Sequence, residues 1–146
     1  MDFDVEVKLA VYRYFAETAA PPTVRDLARR IDVSDAAVRE SFARLRSQRL
    51  LLLEDDGESI RMAPPFSGVP TQHVVEAGGR AYYANCAWDA LGIPAALHTE
   101  ARVLSRCEQS GEPLRLSVGL GGPEPSSWLF HCPVPAAHWW DDLVFT

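Results

Sequence analysis

Apolar positions in the first third of the chain recur with helical period. Val7, Val11, Tyr14 and Phe15 stand at i, i+4, i+7 and i+8 and predict one helix, which Pro21-Pro22 ends. Thr23-Val24-Arg25-Asp26 is a capping box, with the Thr23 hydroxyl set to accept a first-turn N–H while Asp26 reaches back. Val24, Leu27, Ala28 and Ile31 form the next apolar stripe. Asp32-Val33-Ser34 makes a short turn with Ser34 as N-cap, and Val38, Phe42 and Leu45 carry a third helix over residues 34–47. The pattern then changes. Residues 50–53, the turn Glu54-Asp55-Asp56-Gly57 and residues 58–62 predict a β-hairpin with Gly at the tight position.

Helix, helix, short turn, helix, hairpin is the order of a winged helix-turn-helix, assigned here to residues 1–62. Residues 63–70, with two adjacent prolines and a third at Pro70, predict a Pro-rich linker. Residues 71–146 form the second unit. In it, residues 73–76 and 81–83 flank Gly78-Gly79 as a second hairpin. Residues 85–91 are helix-compatible, with Gly92 as a stop and Pro94 against simple continuation. Residues 101–105 and 114–118 predict strands and 119–127 a loop. Residues 128–132 predict a further strand, and 136–142 a helical turn. The expected fold class is α+β: a winged-helix-like three-helix unit with a hairpin, then a small mixed sheet domain.

Composition narrows the function classes. Of 146 residues, 47% are hydrophobic and 23% charged, which excludes wholesale disorder. No apolar run approaches the roughly 20 residues of a membrane span, so no membrane partner is expected. Met1-Asp2-Phe3-Asp4 lacks a basic n-region, and three cysteines are an odd set. Free thiols in a cytoplasmic protein are therefore the expectation. Residues 23–49 hold seven basic and four acidic side chains, and Arg39, Arg44, Arg46 and Arg49 lie on or just after the third helix. A recognition helix would use them. Against that stand a net charge of -6 and an acidic hairpin tip, Glu54-Asp55-Asp56, where a wing would meet phosphate. DNA is therefore not the expected partner.

Cys86 and Asp89 stand three residues apart, so on a helix both point to one side. With a helix starting near Ala84, Cys86 lies in the first turn, and the helix dipole lowers its pKa. A thiolate is a soft ligand suited to soft metals, and a neighbouring carboxyl can hold or deliver a proton. Taken alone, a cysteine in an apolar segment is as readily a small packed hydrophobe.

The segment Asn85-Cys86-Ala87-Trp88-Asp89-Ala90-Leu91-Gly92-Ile93-Pro94-Ala95-Ala96-Leu97 resembles the catalytic segment of the alkylmercury lyases. Four other segments resemble that family in the same order along the chain: Arg61-Met62-Ala63-Pro64-Pro65-Phe66-Ser67, Ser105-Arg106-Cys107, Gly111-Glu112-Pro113-Leu114 and Val134-Pro135-Ala136-Ala137-His138-Trp139-Trp140-Asp141-Asp142. The resemblance implies a winged-helix-like N-terminal domain. It also implies protonolysis of a carbon–mercury bond to inorganic mercury and a hydrocarbon, in mercury detoxification, with no organic cofactor. Carried over, Cys86 is the thiolate that captures the organomercurial and holds its mercury, and Asp89 relays a proton to the leaving carbon. Small cellular thiols and a mercuric reductase are the implied partners in product removal.

The family's second catalytic cysteine follows the tryptophan- and aspartate-rich segment, a position falling at Thr146 or just past it. The site is therefore expected to be incomplete within this C-terminally short chain, with impaired turnover. The sheet is expected to expose an edge, which makes a homodimer by strand pairing reasonable. Cys107 corresponds to a cysteine usually read as structural. Its neighbours through Ser110 look like half a zinc knuckle, but a closed site needs four ligands, so zinc is rejected. Cys132 is expected to be a packed core thiol, with His131 on the opposite side of a strand. The four tryptophans read as core and rim aromatics. The scattered histidines give no metal motif, Asp141-Asp142 reads as a solvated face, and Gly121-Gly122 alone is no phosphate cradle. Two other function classes fit parts of the sequence. One is a DNA-binding regulator responsive to mercury through Cys86, and the other is a relative that only sequesters mercury.

Overall fold

A computed structural model describes residues 2–144 of the chain. Three helices lead: α1 (Phe3–Thr18), α2 (Val24–Arg30) and α3 (Asp35–Ser47). Each begins at a side chain that accepts an otherwise unpaired first-turn N–H. Asp2 accepts from Asp4, Thr23 from Asp26 and Ser34 from Ala37. The Thr23–Asp26 capping box is reciprocal, as its spacing predicts. Val7, Val11 and Phe15 of α1, Val24, Leu27 and Ala28 of α2, and Val38, Phe42 and Leu45 of α3 are all buried. Tyr14, expected on the same stripe, is only half-buried.

A three-stranded antiparallel sheet follows, β1 (Leu52–Leu53), β2 (Ile60–Ala63) and β3 (Phe66–Ser67), in the order β1-β2-β3. Its third strand corrects an expectation. Residues 63–70 do not behave as a linker, because Ala63 pairs with Phe66 and Met62 with Ser67. Phe66, only 2% exposed, stacks on Phe15 with ring centroids 5.2 Å apart and meets Tyr82 at 5.7 Å. Proline content marks where helix is excluded. It does not mark where packing ends, and a buried aromatic outweighs it.

The second sheet comprises β4 (Val74–Ala77), β5 (Arg80–Tyr83), β6 (Ala101–Arg106), β7 (Pro113–Gly119) and β8 (Gly122–Pro123), ordered β5-β4-β6-β7-β8. Every pairing is antiparallel, so the sheet is not mixed. Short hairpin connections impose that for β4–β5 and for β6–β7, since parallel neighbours need a long crossover. β8 also interrupts the stretch 119–127, expected to be loop throughout.

Helix α4 (Ala87–Leu97) joins β5 to β6 and runs past both expected stops. Pro94 lies inside it and is buried beside Ala90 and Ile93. Burying this apolar face outweighs the single backbone hydrogen bond that proline removes. Gly92 serves close approach instead of termination, since a Cβ there would sit 3.1 Å from Pro65 Cβ. One continuous core runs from Val7 to Val118 and draws on both halves of the chain.

Residues 128–132 form no strand. Trp128, Leu129 and Phe130 are 37%, 91% and 50% exposed, and β propensity yields a strand only where a sheet edge accepts it. A single 3-10 turn, Ala136–His138, follows.

Candidate active site

Strand β5 leaves the sheet at Tyr83, and the chain turns at Asn85 and Cys86 into α4. Cys86 is the N-cap of that helix, not a residue of its first turn. Its backbone is extended, and its Sγ accepts the Asp89 N–H at 3.5 Å. The capping bond ties the Cys86 sulfur to the Asp89 backbone, and the Asp89 charge is near enough to act on the thiol.

The electrostatic expectation for Cys86 is reversed. Burial pushes its pKa up, and the nearby Asp89 charge adds to the rise. The N–H groups of Asp89 and Trp88 pull the other way without prevailing. Desolvation of the thiolate exceeds what two helix-end donors return. Asp89 is also raised above the ordinary carboxylate range, by burial first, with a hydrogen bond from Asn85 opposing it. In both groups burial thus shifts the balance toward the protonated form.

Asn85 and Tyr12 belong to this site, and the sequence reading gave neither a role. Asn85 Nδ2 donates to Asp89 Oδ2 at 2.9 Å and to the Phe66 carbonyl at 3.2 Å. Asn85 Oδ1 is buried with no partner among the described residues. Asn85 stands four residues before Asp89, a helical-neighbour spacing that was available as a signal. Tyr12 comes from α1. Its hydroxyl donates to the Pro64 carbonyl at 2.9 Å, and its pKa is raised by burial and then by the Asp89 charge. No local pattern announces a contact between residues so far apart in sequence. The first helix thus brings a phenol within the field of the α4 carboxyl.

The remaining cysteines separate. Cys107 lies in the β6–β7 turn, where its N–H donates to the Glu112 carbonyl. Hydrogen bonding from Ser110, side chain first, lowers its pKa. Cys132 is exposed, contrary to the expected core thiol, because the strand that would have buried it does not form. His73 is buried with Nδ1 2.6 Å from Ser105 Oγ, and His138 pairs with Asp141 at 2.9 Å. Among the described residues, no group of three or more His, Cys, Asp or Glu is placed to hold a metal ion. Thr146, where the second cysteine was sought, lies outside the described residues. On α3, Arg39 pairs with Glu58 at 2.5 Å, and Arg44 forms a forked pair with Asp4 at 2.8 Å. Those two arginines serve the protein's own packing. No described helix is long and apolar enough to cross a membrane.

Comparison with known proteins bears on residues 66–146, which match the profile of the alkylmercury lyase family, MerB. The alkylmercury lyase of Streptomyces lividans is 34% identical over 98 residues, covering 67% of this chain and 43% of that protein. That of Bacillus cereus is 29% identical over 96 residues, covering 66% and 42%. That of Pseudomonas putida is 48% identical over 48 residues, covering 33% and 23%. The solved structure of the mercury-bound form of MerB2 superposes with a TM-score of 0.65, over 84% of this chain and 60% of that one. At 23% identity the last is a likeness of fold. The chain spans less than half the length of these curated relatives.

Proposed function

Because the chain belongs to the alkylmercury lyase family, we propose that it captures organomercurials on Cys86 and cleaves their carbon–mercury bond by protonolysis, with Asp89 as the proton donor. The carrying observation is the Cys86 cap on Asp89, with burial raising the pKa of both groups. Capture exchanges a proton for mercury. The electrophile R–Hg–X takes the Cys86 sulfur, and HX leaves. A buried thiol with a raised pKa gives up its proton to this exchange when the soft metal arrives, since sulfur–mercury bonding replaces the solvation that the thiolate lacked. Cleavage needs an acid at the carbon. Asp89, whose pKa burial raises, supplies it from its protonated form, and the carbon–mercury bond breaks as the carbon–hydrogen bond forms. Asn85 accepts no proton in this scheme. It holds the carboxyl that does the transfer.

Other parts of the reading follow from this one. We read α1–α3 with β1–β3 as a winged-helix unit turned to packing, with Tyr12 as its contribution to the site. Small cellular thiols would draw off the mercuric product and pass it to a mercuric reductase in the cytoplasm. β8 covers only Val118 and Gly119 of β7, so light scattering is the check for a strand-paired homodimer.

Hydrocarbon release from an organomercurial in excess small thiol tests the function. The parent chain is expected to turn over repeatedly, with activity lost in Cys86→Ser and in Asp89→Asn. Binding without release by the parent would replace the lyase reading with sequestration.

A further inference from the structure

We propose that Asn85 is a positioning residue that reserves Asp89 Oδ2 as an acceptor, so that the carboxyl carries its proton on Oδ1 and delivers it from there, and that Tyr12 keeps Asn85 in this pose through the segment Pro64-Pro65-Phe66. Delivery of the proton to carbon rests on the lyase reading, whereas the choice of oxygen does not.

The argument starts from the orientation of one amide. Asn85 Nδ2 lies 3.2 Å from the Phe66 carbonyl oxygen and 2.9 Å from Asp89 Oδ2. A backbone carbonyl only accepts, so it fixes the nitrogen end of the amide on its side. A flipped amide would set oxygen against oxygen at Phe66. The pose is held although it leaves Asn85 Oδ1 buried and unpaired. The two N–H groups of Nδ2 are thus spent on Phe66 and on Asp89 Oδ2. In a neutral carboxyl the carbonyl oxygen is the better acceptor and the hydroxyl oxygen the donor. The oxygen that takes the Asn85 N–H is therefore the carbonyl, and the proton belongs to Oδ1. Among the described residues, Asn85 is the one side-chain hydrogen-bond partner acting on this carboxyl.

The Phe66 carbonyl is itself held in place. Phe66 bridges to Ala84, the residue before Asn85, and its neighbour Pro65 packs against Gly92 of α4. The Tyr12 hydroxyl donates to the Pro64 carbonyl at 2.9 Å, and the Tyr12 ring meets the Phe66 ring at 6.3 Å. A continuous run of contacts therefore leads from α1 through Pro64-Pro65-Phe66 to Asn85 and the acid. In the reaction the Oδ1–H and carbon–mercury bonds break, the carbon–hydrogen bond forms, and the electron pair of the broken carbon–mercury bond goes to carbon. The carboxylate keeps its Asn85 N–H on Oδ2. Mercury stays on the Cys86 sulfur and takes a small thiol as thiolate, whose proton returns to Asp89. Nothing is oxidised or reduced.

The test uses the whole chain with Asn85→Leu and with Tyr12→Phe, which removes only the hydroxyl. Infrared difference spectra at acidic pH, each protein against its Asp89→Asn counterpart, isolate the Asp89 carboxyl stretch. A carbonyl that accepts an N–H absorbs at lower wavenumber, so the band should move up in Asn85→Leu and by a smaller step in Tyr12→Phe. A band that moves in neither overturns the choice of oxygen. Single-turnover mixing with a phenylmercurial then separates capture, read as mercurial bound beyond that of Cys86→Ser, from release, read as benzene. The ratio of release to capture should fall about 100-fold in Asn85→Leu, the cost of an acid about 1 Å out of place, and by a smaller factor in Tyr12→Phe. Equal losses of capture and release, with far-UV circular dichroism unchanged, would make both residues merely structural and overturn the positioning. A parent chain that releases no benzene would fell the lyase reading, and the infrared band would still decide the oxygen.

Discussion

Phe66→Ala probes the joint between the two halves of the chain. Phe66 is 2% exposed and touches three rings: Phe15 stacked at 5.2 Å, Tyr82 at 5.7 Å and Tyr12 at 6.3 Å. Two of those rings come from α1 and one from β5, so truncation opens a cavity that neither half can close alone. Core Phe→Ala changes cost about 3–5 kcal/mol. With a urea slope near 2 kcal/mol per M, the midpoint should fall by about 2 M. Phe66→Leu keeps part of the volume and should fall by less than half of that, so the effect remains measurable if the alanine variant does not fold. Two signals separate the halves. All four tryptophans follow residue 87, whereas α1, α2 and α3 dominate the ellipticity at 222 nm. The transitions should coincide in the parent and move together in the variant. A loss of no more than about 0.5 kcal/mol, which an exposed linker side chain would show, refutes the reasoning.

Two further outcomes are expected. Asp89 has its folded-state pKa raised above the ordinary 3.8, so the native state binds the extra proton and stability falls as pH rises from that value through the raised one. Asp89→Asn should abolish that fall, and denaturation curves of both proteins across acidic pH would show it. Gly68→Ala would place a Cβ 1.8 Å from the Ile60 carbonyl oxygen, whereas Gly57, at φ 71°, has open space around it. The first substitution should destabilise by more than about 3 kcal/mol and the second by about 1 kcal/mol, compared by thermal melts.

Much was legible in the sequence because it depends on neighbours a few residues apart. Apolar spacing gave α1 to α3, side-chain chemistry gave the caps of α2 and α3, and the Gly78-Gly79 pair gave the β4–β5 hairpin. The closeness of Cys86 and Asp89 is likewise local, a cap between residues three apart at the start of α4. Tertiary structure decided the rest. Whether Pro-rich residues 63–70 tie or pack depended on a pocket between Phe15 and Tyr82. Whether Pro94 ends α4 depended on what its buried face meets. Whether residues 128–132 make a strand depended on an edge to receive it. The sign of the Cys86 shift depended on how much water the fold removes, against two N–H donors that any helix start would offer. Local pattern fixes hydrogen bonds of short range. Burial is a property of the assembled molecule, and here it set both the titration of the site and the company that Asp89 keeps.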